Sequence, residues 1–421
     1  MLETIRKRFK APGVAAAAMI NGNLVAVGNA GVRGLDSKKA VGDGDRSLVG
    51  SCGKAWTRLL IARLADRGLL GWDSTVGELL ADVKMRDVYR SVTIADILSH
   101  RGGLQPYTEI TPQDTPILFD QSGTAHEQRA AFVAHLLMEA PATKPKKRFL
   151  YSNAGYGLLG YIAECLTNKS FEQAMRDEVF TPLGMSSTTV GMPQEVRNPP
   201  GWTGHMRTPK GFEAVVPPRE GLPALMPAGF MSCTIRDFAK ISNLLCDIEA
   251  KKPTSFFSSA TALNLPELRP GGGGEGGILF GGDGHYTAAF ALWPSKGLAI
   301  VVQSNAGSSD GLCAAMIHAV RDVVAPDTPA STGGPVADDP DRPRYGFQIL
   351  AENESWLVAE VFANSRAAKG GLLAGDRIIA INGTQLAQMP EDDRAAEVRK
   401  SPLKLDVERD GKPVRVTLTL H

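Results

Sequence analysis

Apolar positions along the chain fall into two hairpins separated by a long stretch of helical character. Val14 to Ile20 is an unbroken apolar run, Asn21-Gly22 is a strong hairpin turn, and Leu24 to Val27 is a second short run, which predicts an antiparallel pair. From Lys54 onward Trp56, Leu59, Leu60 and Leu64 recur at helical spacing and Gly68 supplies a stop, so Ser51 is expected at or near a helix N-terminus. Between about Ser74 and Asp247 helical stretches (Ile94 to Leu98, Gly155 to Leu166, Phe171 to Val179, Ile235 to Leu245) alternate with Pro- and Gly-rich loops. Strand character returns at Tyr286 to Trp293 and Leu298 to Gln303, across the turn Pro294 to Gly297, and a helical stretch follows from Leu312 to Val324. The two hairpins are expected to share one antiparallel sheet flanked by helices, with the mostly helical region inserted between them: an α/β arrangement over residues 1–325. Pro326 to Arg344 has the composition of a linker, and residues 345–421 read as a second domain of short strands.

Composition narrows the classes of function. With 46 basic against 45 acidic residues the net charge is +1, which gives no electrostatic basis for nucleic acid or an anionic membrane surface as the main partner. No window approaches the roughly 20 apolar residues that span a bilayer, so no transmembrane segment is expected. The opening residues run directly into a strand, so the chain as written reads as cytoplasmic, or periplasmic if a leader was removed. The five cysteines are scattered and never form C-x-x-C, so neither a disulfide framework nor a metal site is expected, and they read as small core residues. Gly271 to Gly277 contains G-x-G-x-x-G but precedes a strand, which favours a loop over a nucleotide site.

The candidate chemistry sits at Ser51-Cys52-Gly53-Lys54. Residues three apart share a helix face, so a hydroxyl and an amine meet across one turn. An ammonium cannot deprotonate a serine, but a lysine held in an apolar site loses its proton more readily and can act as base. Unpaired N–H groups at the helix start would stabilise charge developing on a substrate oxygen. Tyr151-Ser152-Asn153, directly before the helical Gly155 stretch, adds a phenol able to shuttle a proton and an amide able to bind a substrate carbonyl. The plainer alternatives are a solvated Lys beside a capping Ser, and a buried Tyr beside a capping Asn.

In order and approximate spacing, GSCGK, SVTIADILSHRGGL (91–104), KKRFLYSNAGYGLLGYIAE (146–164), FTPLGMSSTTVG (180–191) and PAGFMSCTIRDFAKI (227–241) resemble the serine beta-lactamase-like family. That family includes class C beta-lactamases, penicillin-binding DD-peptidases, D-aminopeptidases and related esterases. The resemblance covers about residues 10–325 and implies Ser51 as acylated nucleophile, Lys54 as its base partner, Tyr151 as proton shuttle and Asn153 as a substrate-amide contact, with no cofactor and no metal. His100 falls in a segment that looks structural in the family.

Relatives usually carry Lys or His, any residue, then Gly on the strand lining the site. Counting back from Phe290 places Asp283 at the basic position and His285 at the glycine, while a gap would give His285 the basic role; the Tyr286 N–H is then the second oxyanion donor beside that of Ser51. An ionised Asp283 would repel a substrate carboxylate by roughly one to a few kcal/mol at about 4 Å. The expectation is a serine hydrolase of esters, amides or peptides, more esterase or peptidase than true beta-lactamase.

Tyr345 to Ile349, Val358 to Leu386 and Leu403 to Leu420 resemble a bacterial PDZ domain. The resemblance implies that Gly346 and Phe347 form the loop that receives a peptide's terminal carboxylate, the peptide adding a strand to the sheet edge. The alternative function is a non-catalytic binding or scaffolding protein with a degenerate hydrolase site, the PDZ-like domain carrying the activity.

Overall fold

The computed structural model describes residues 1–35, 37–108, 114–118, 122–191, 202–208, 211–215, 222–257, 275–328, 345, 347–351, 355–361, 366–373, 375–389, 393–394, 397 and 402–419. Residues 271–274 of the glycine run, 329–344 of the expected linker, and Gly346 lie outside the described residues.

The two hairpins do share a sheet. Strands β1 (Gly13–Ile20) and β2 (Asn23–Gly31) form the first. After β3 (Arg46–Leu48), β4 (Thr189–Val190), β5 (His205–Thr208), β6 (Gly211–Ala214) and β7 (Met231–Thr234) come β8 (Ile278–Gly282), β9 (Thr287–Trp293) and β10 (Leu298–Ser304). The large sheet runs β2-β1-β10-β9-β8, all antiparallel, with β1 and β10 in register from Val14 opposite Ser304 to Ile20 opposite Leu298. A small sheet β3-β7-β4 and the hairpin β5-β6 lie beside it.

The sheet is covered on both faces, which explains the unbroken apolar runs. Val14, Ala16 and Ala18 join Ile300, Val302 and Trp293 in one buried cluster, and Ala15, Ala17 and Met19 join Phe290, Leu292 and Val301 in another. Alternate residues of one strand thus face different cores, so the central strands read as apolar runs and not as an apolar–polar alternation. Of the longer helices, α1 (Leu2–Arg8) and α6 (Asp310–Val324) lie on the first face; α2 (Gly53–Asp66), α3 (Ala125–Leu136), α4 (Asn153–Thr167) and α5 (Ile235–Glu249) build the second. Four of the five cysteines are buried and Cys165 is exposed.

The stretch expected to be one strand through Asp283 and His285 is instead a hairpin. β8 ends at Gly282, β9 begins at Thr287, and Asp283 to Tyr286 form the turn. Asp283 Oδ1 accepts the N–H groups of His285 (2.9 Å) and Tyr286 (2.8 Å), the turn-closing bond that Asp makes two or three residues ahead of itself.

The C-terminal region forms its own sheet, β11 (Phe347–Ala351), β12 (Trp356–Val361), β13 (Arg377–Ile381), β15 (Leu403–Arg409) and β16 (Lys412–Leu418), with β14 (Thr384–Gln385) on β13. Its core holds Trp356, Ile378, Leu405 and Val416. Leu357 of β12 points the other way, into the hydrolase-side cluster formed with α6.

Candidate active site

Ser51 occupies a 3-10 turn, Gly50–Cys52, that runs without a break into α2. Lys54, one turn on, is 5 % exposed among the apolar residues of that helix. Its Nζ lies 3.3 Å from Ser51 Oγ and 2.7 Å from each of two carbonyl oxygens, Asn153 Oδ1 and the Ala228 backbone oxygen. Burial lowers the Lys54 amine from its ordinary 10.5 to about 7. A neutral amine has two N–H donors and one lone pair. The two carbonyls take both donors, which leaves the lone pair for Ser51.

The Ala228 carbonyl is fixed by its surroundings. Pro223–Ala228 is a 3-10 turn held by Thr57 Oγ1 donating to Pro227 O (2.6 Å) and Arg129 Nε donating to Pro223 O (3.2 Å). Gly229 follows at φ 147°, where a Cβ would sit 2.2 Å from Gly50 O and 2.9 Å from the Ser51 nitrogen, so only glycine lets the two turns meet.

Tyr151 lines the same cavity as Ser51, and burial pushes its phenol up to about 12, with Ser51 acting in the opposite direction. The Lys54 nitrogen lies 4.7 Å from the Tyr151 ring centroid. The loop carrying Tyr151 is pinned on both sides by His100: Leu150 N–H donates to His100 O (2.8 Å) and Ser152 N–H to His100 Nδ1 (3.1 Å). The His100 ring lies 4.6 Å from that of Tyr151, and burial, with Lys54 and Arg58 nearby, lowers it to about 3, so it is neutral and supports Tyr151 from behind. Ser152 caps α4 through Gly155 N–H (3.0 Å), and Asn153 Nδ2 donates to Tyr107 O (2.9 Å), which aims its oxygen at Lys54.

Ser51, Lys54 and Tyr151 line a cavity of about 550 Å³ together with β8, Gly284, Thr287 and Asp310. Asp283, His285 and Tyr286 are not among its lining residues. The Asp283 carboxylate is turned to its own loop, 3.7 Å from the His285 ring. The Tyr286 N–H is already donated to Asp283, and its phenol donates to Trp202 O (2.7 Å), so it is not free to hold an oxyanion. In their place stand Gly281 and Gly282. A Cβ on Gly281 would lie 2.2 Å from Val49 O and 2.6 Å from the nitrogens of Ser51 and Cys52, while one on Gly50 would lie 2.1 Å from the Gly282 nitrogen. The strand can therefore lie flat against the Ser51 turn only because these residues have no side chain. The Gly281-Gly282-Asp283-Gly284 sequence is itself a turn marker, and reading it so would have moved the site wall back to Ile278–Gly282.

In the C-terminal sheet, Phe347 is 3 % exposed and packs into that domain's core. β11 lies at the sheet edge, where an added strand would pair. Among the described residues no helix is long and apolar enough to cross a membrane, and no three His, Cys, Asp or Glu side chains are grouped to hold a metal ion.

Comparison with known proteins agrees with this architecture. Penicillin-binding protein 4 of Amycolatopsis lactamdurans is 30 % identical over 195 residues, 46 % of this chain and 48 % of that protein. The unguisins hydrolase of Aspergillus campestris is 27 % identical over 312 residues, 66 % of this chain and 56 % of its own. The chain thus spans about half the length of these curated relatives. Among solved structures, the octameric penicillin-binding protein homologue from Pyrococcus abyssi superposes with a TM-score of 0.63 at 18 % identity, over 99 % of this chain and 94 % of that one. The beta-lactamase/D-alanine carboxypeptidase from Pseudomonas syringae gives 0.60 at 17 %, over 77 % and 97 %. The beta-lactamase family profile matches residues 2–325 and the PDZ domain profile residues 335–408, so the chain belongs to the beta-lactamase family, with the serine hydrolase fold of that family followed by a PDZ domain.

Proposed function

We propose that the protein is a serine hydrolase that works through an acyl-enzyme on ester, amide or peptide substrates. The Ser51 oxygen attacks the carbonyl as its proton passes to the neutral Lys54 amine. Lys54 and Tyr151 return that proton to the leaving group as its bond to the acyl carbon breaks, and water then releases the acid by the reverse proton path. The Ser51 N–H and the Gly282 N–H, brought together by the glycine contact, hold the developing oxyanion. The observation that carries this reading is the 3.3 Å approach of Ser51 Oγ to a lysine nitrogen lowered to about 7 whose other two hydrogen-bonding directions are filled.

Esters and peptides are favoured over beta-lactams because the wall facing Ser51 is Ile278, Leu279, Phe280 and two glycines, with no basic side chain to receive a substrate carboxylate. The alternative, a scaffold with a spent hydrolase site, gives no reason for a buried lysine lowered to about 7, whose burial costs stability whether or not the site turns over. Under this proposal the PDZ domain presents the β11 edge to a peptide C-terminus.

The test is covalent labelling. A fluorophosphonate should add once to the wild type, mapped to Ser51, and not to Ser51→Ala, with hydrolysis of p-nitrophenyl acetate falling by at least about 10³-fold in that variant. An unlabelled wild type, or an adduct that survives in Ser51→Ala, contradicts the assignment.

A further inference from the structure

Asp310 opens α6 and lines the same cavity as Ser51 and Lys54. The turn before it is tied to β9: Ser309 N–H donates to Thr287 Oγ1 (3.1 Å), Thr287 Oγ1 donates to Ala306 O (2.8 Å), and Ser309 Oγ donates to Gly307 O (3.2 Å). The Asp310 carboxyl is therefore held at the cavity by a fixed backbone. Among the described residues it has no hydrogen-bond or ion-pair partner, and burial alone pushes it up from the ordinary carboxylate range.

The cavity's two cationic side chains are committed elsewhere. Lys54 is filled by Ser51, Asn153 and Ala228, and burial lowers it to about 7. Arg58 is 2 % exposed and donates to the Leu98 carbonyl. Asp310 is thus the group whose charge a bound molecule can answer. A half-buried carboxylate without a counter-ion attracts a cation and repels an anion at close range more strongly than one in water.

We propose that Asp310 selects substrates by charge, so that the Ser51 cavity prefers an acyl group carrying an ammonium beside the scissile carbonyl, as in an unblocked amino-acid ester or the free N-terminus of a peptide. The inference rests on the Ser51 cavity being the acyl-transfer site. It places the electrostatic selection that the sequence suggested for Asp283 on a different residue, one that lines the cavity.

The test compares three p-nitrobenzyl esters, of alanine (both enantiomers), of isobutyrate, and of succinate as the monoester. Isobutyrate puts a methyl group where alanine has its ammonium, so the pair differs in charge and hardly in shape. The wild type should favour the better alanine enantiomer over isobutyrate in kcat/KM by about tenfold or more, with succinate slowest. That ratio should fall towards one in Asp310→Asn and be largely kept in Asp310→Glu. A wild-type ratio at or below one, a ratio unchanged in Asp310→Asn, or a preference for succinate overturns the proposal.

Binding is read separately from turnover. Alaninamide should raise the wild-type Tm at a concentration where isobutyramide does not, and equal effects of the two overturn the proposal even if no ester is hydrolysed. Fluorophosphonate labelling of Ser51 with no charge discrimination sinks this inference alone. Discrimination without labelling sinks the hydrolase reading and leaves the cation subsite standing.

Discussion

Three hydrogen-bonding directions around one nitrogen decide what Lys54 can do. Two carbonyl oxygens at 2.7 Å hold its protons, and Ser51 meets what remains. Asn153→Asp tests this: it would put a carboxylate where the amide oxygen now sits, favour the ammonium, and move the acid limb of the pH–rate profile up from about 7 by roughly one to three units, with activity at neutral pH falling accordingly. An unmoved limb would show that Asn153 does not set the lysine's proton. The same burial has a stability consequence. Between about 7 and 10.5 the native state binds fewer protons than the unfolded chain, so the cost of the buried ammonium is full below about 7 and is relieved as pH rises through that window. Ser51, Lys54, Tyr151 and Asn153 could all be singled out from spacing and residue chemistry. Asp283, His285 and Tyr286 misled because a turn-forming Gly-Asp-Gly was counted as strand; a one-element error put these three residues on a wall they do not line.

At the scale of elements, the site is a junction of three backbones: the Ser51 turn, the Pro223–Ala228 turn, and β8. None of their close approaches is visible in one sequence, because a glycine reads as a turn or loop until the chain that passes over it is known. The large sheet was more legible, since its strands are apolar without interruption and its hairpins are marked by Asn21-Gly22 and Pro294 to Gly297. β8 was missed because it follows the glycine run and only five residues separate that run from the next turn. Gly281→Ala is expected to push β8 away from Ser51, cutting kcat/KM by at least about 10²-fold while the far-UV CD spectrum stays native. Retained activity would mean that the strand does not contribute to the oxyanion site.

For the whole molecule, the contact between β12 and α6 joins the PDZ domain to the helix that also carries Asp310 at its start. Leu357 is 6 % exposed in that contact. Leu357→Asp should cost about 2 kcal/mol or more of interface stability and split unfolding, followed by calorimetry, into two transitions; one unchanged transition would show that the domains are not coupled there. The division of the chain into a hydrolase part and a PDZ part was readable from motifs and composition, but the surface by which they meet was not, because Leu357 sits in a strand whose other apolar residues serve its own core.

The account stands or falls on a deprotonated Lys54 activating Ser51, and the pH dependence of the second-order rate of fluorophosphonate labelling measures that directly. The rate should rise with a single proton dissociation near about 7 and then level off, since the Tyr151 phenol, at about 12, stays protonated through the accessible range. A rate that stays flat from about pH 5 to about pH 9 would contradict it.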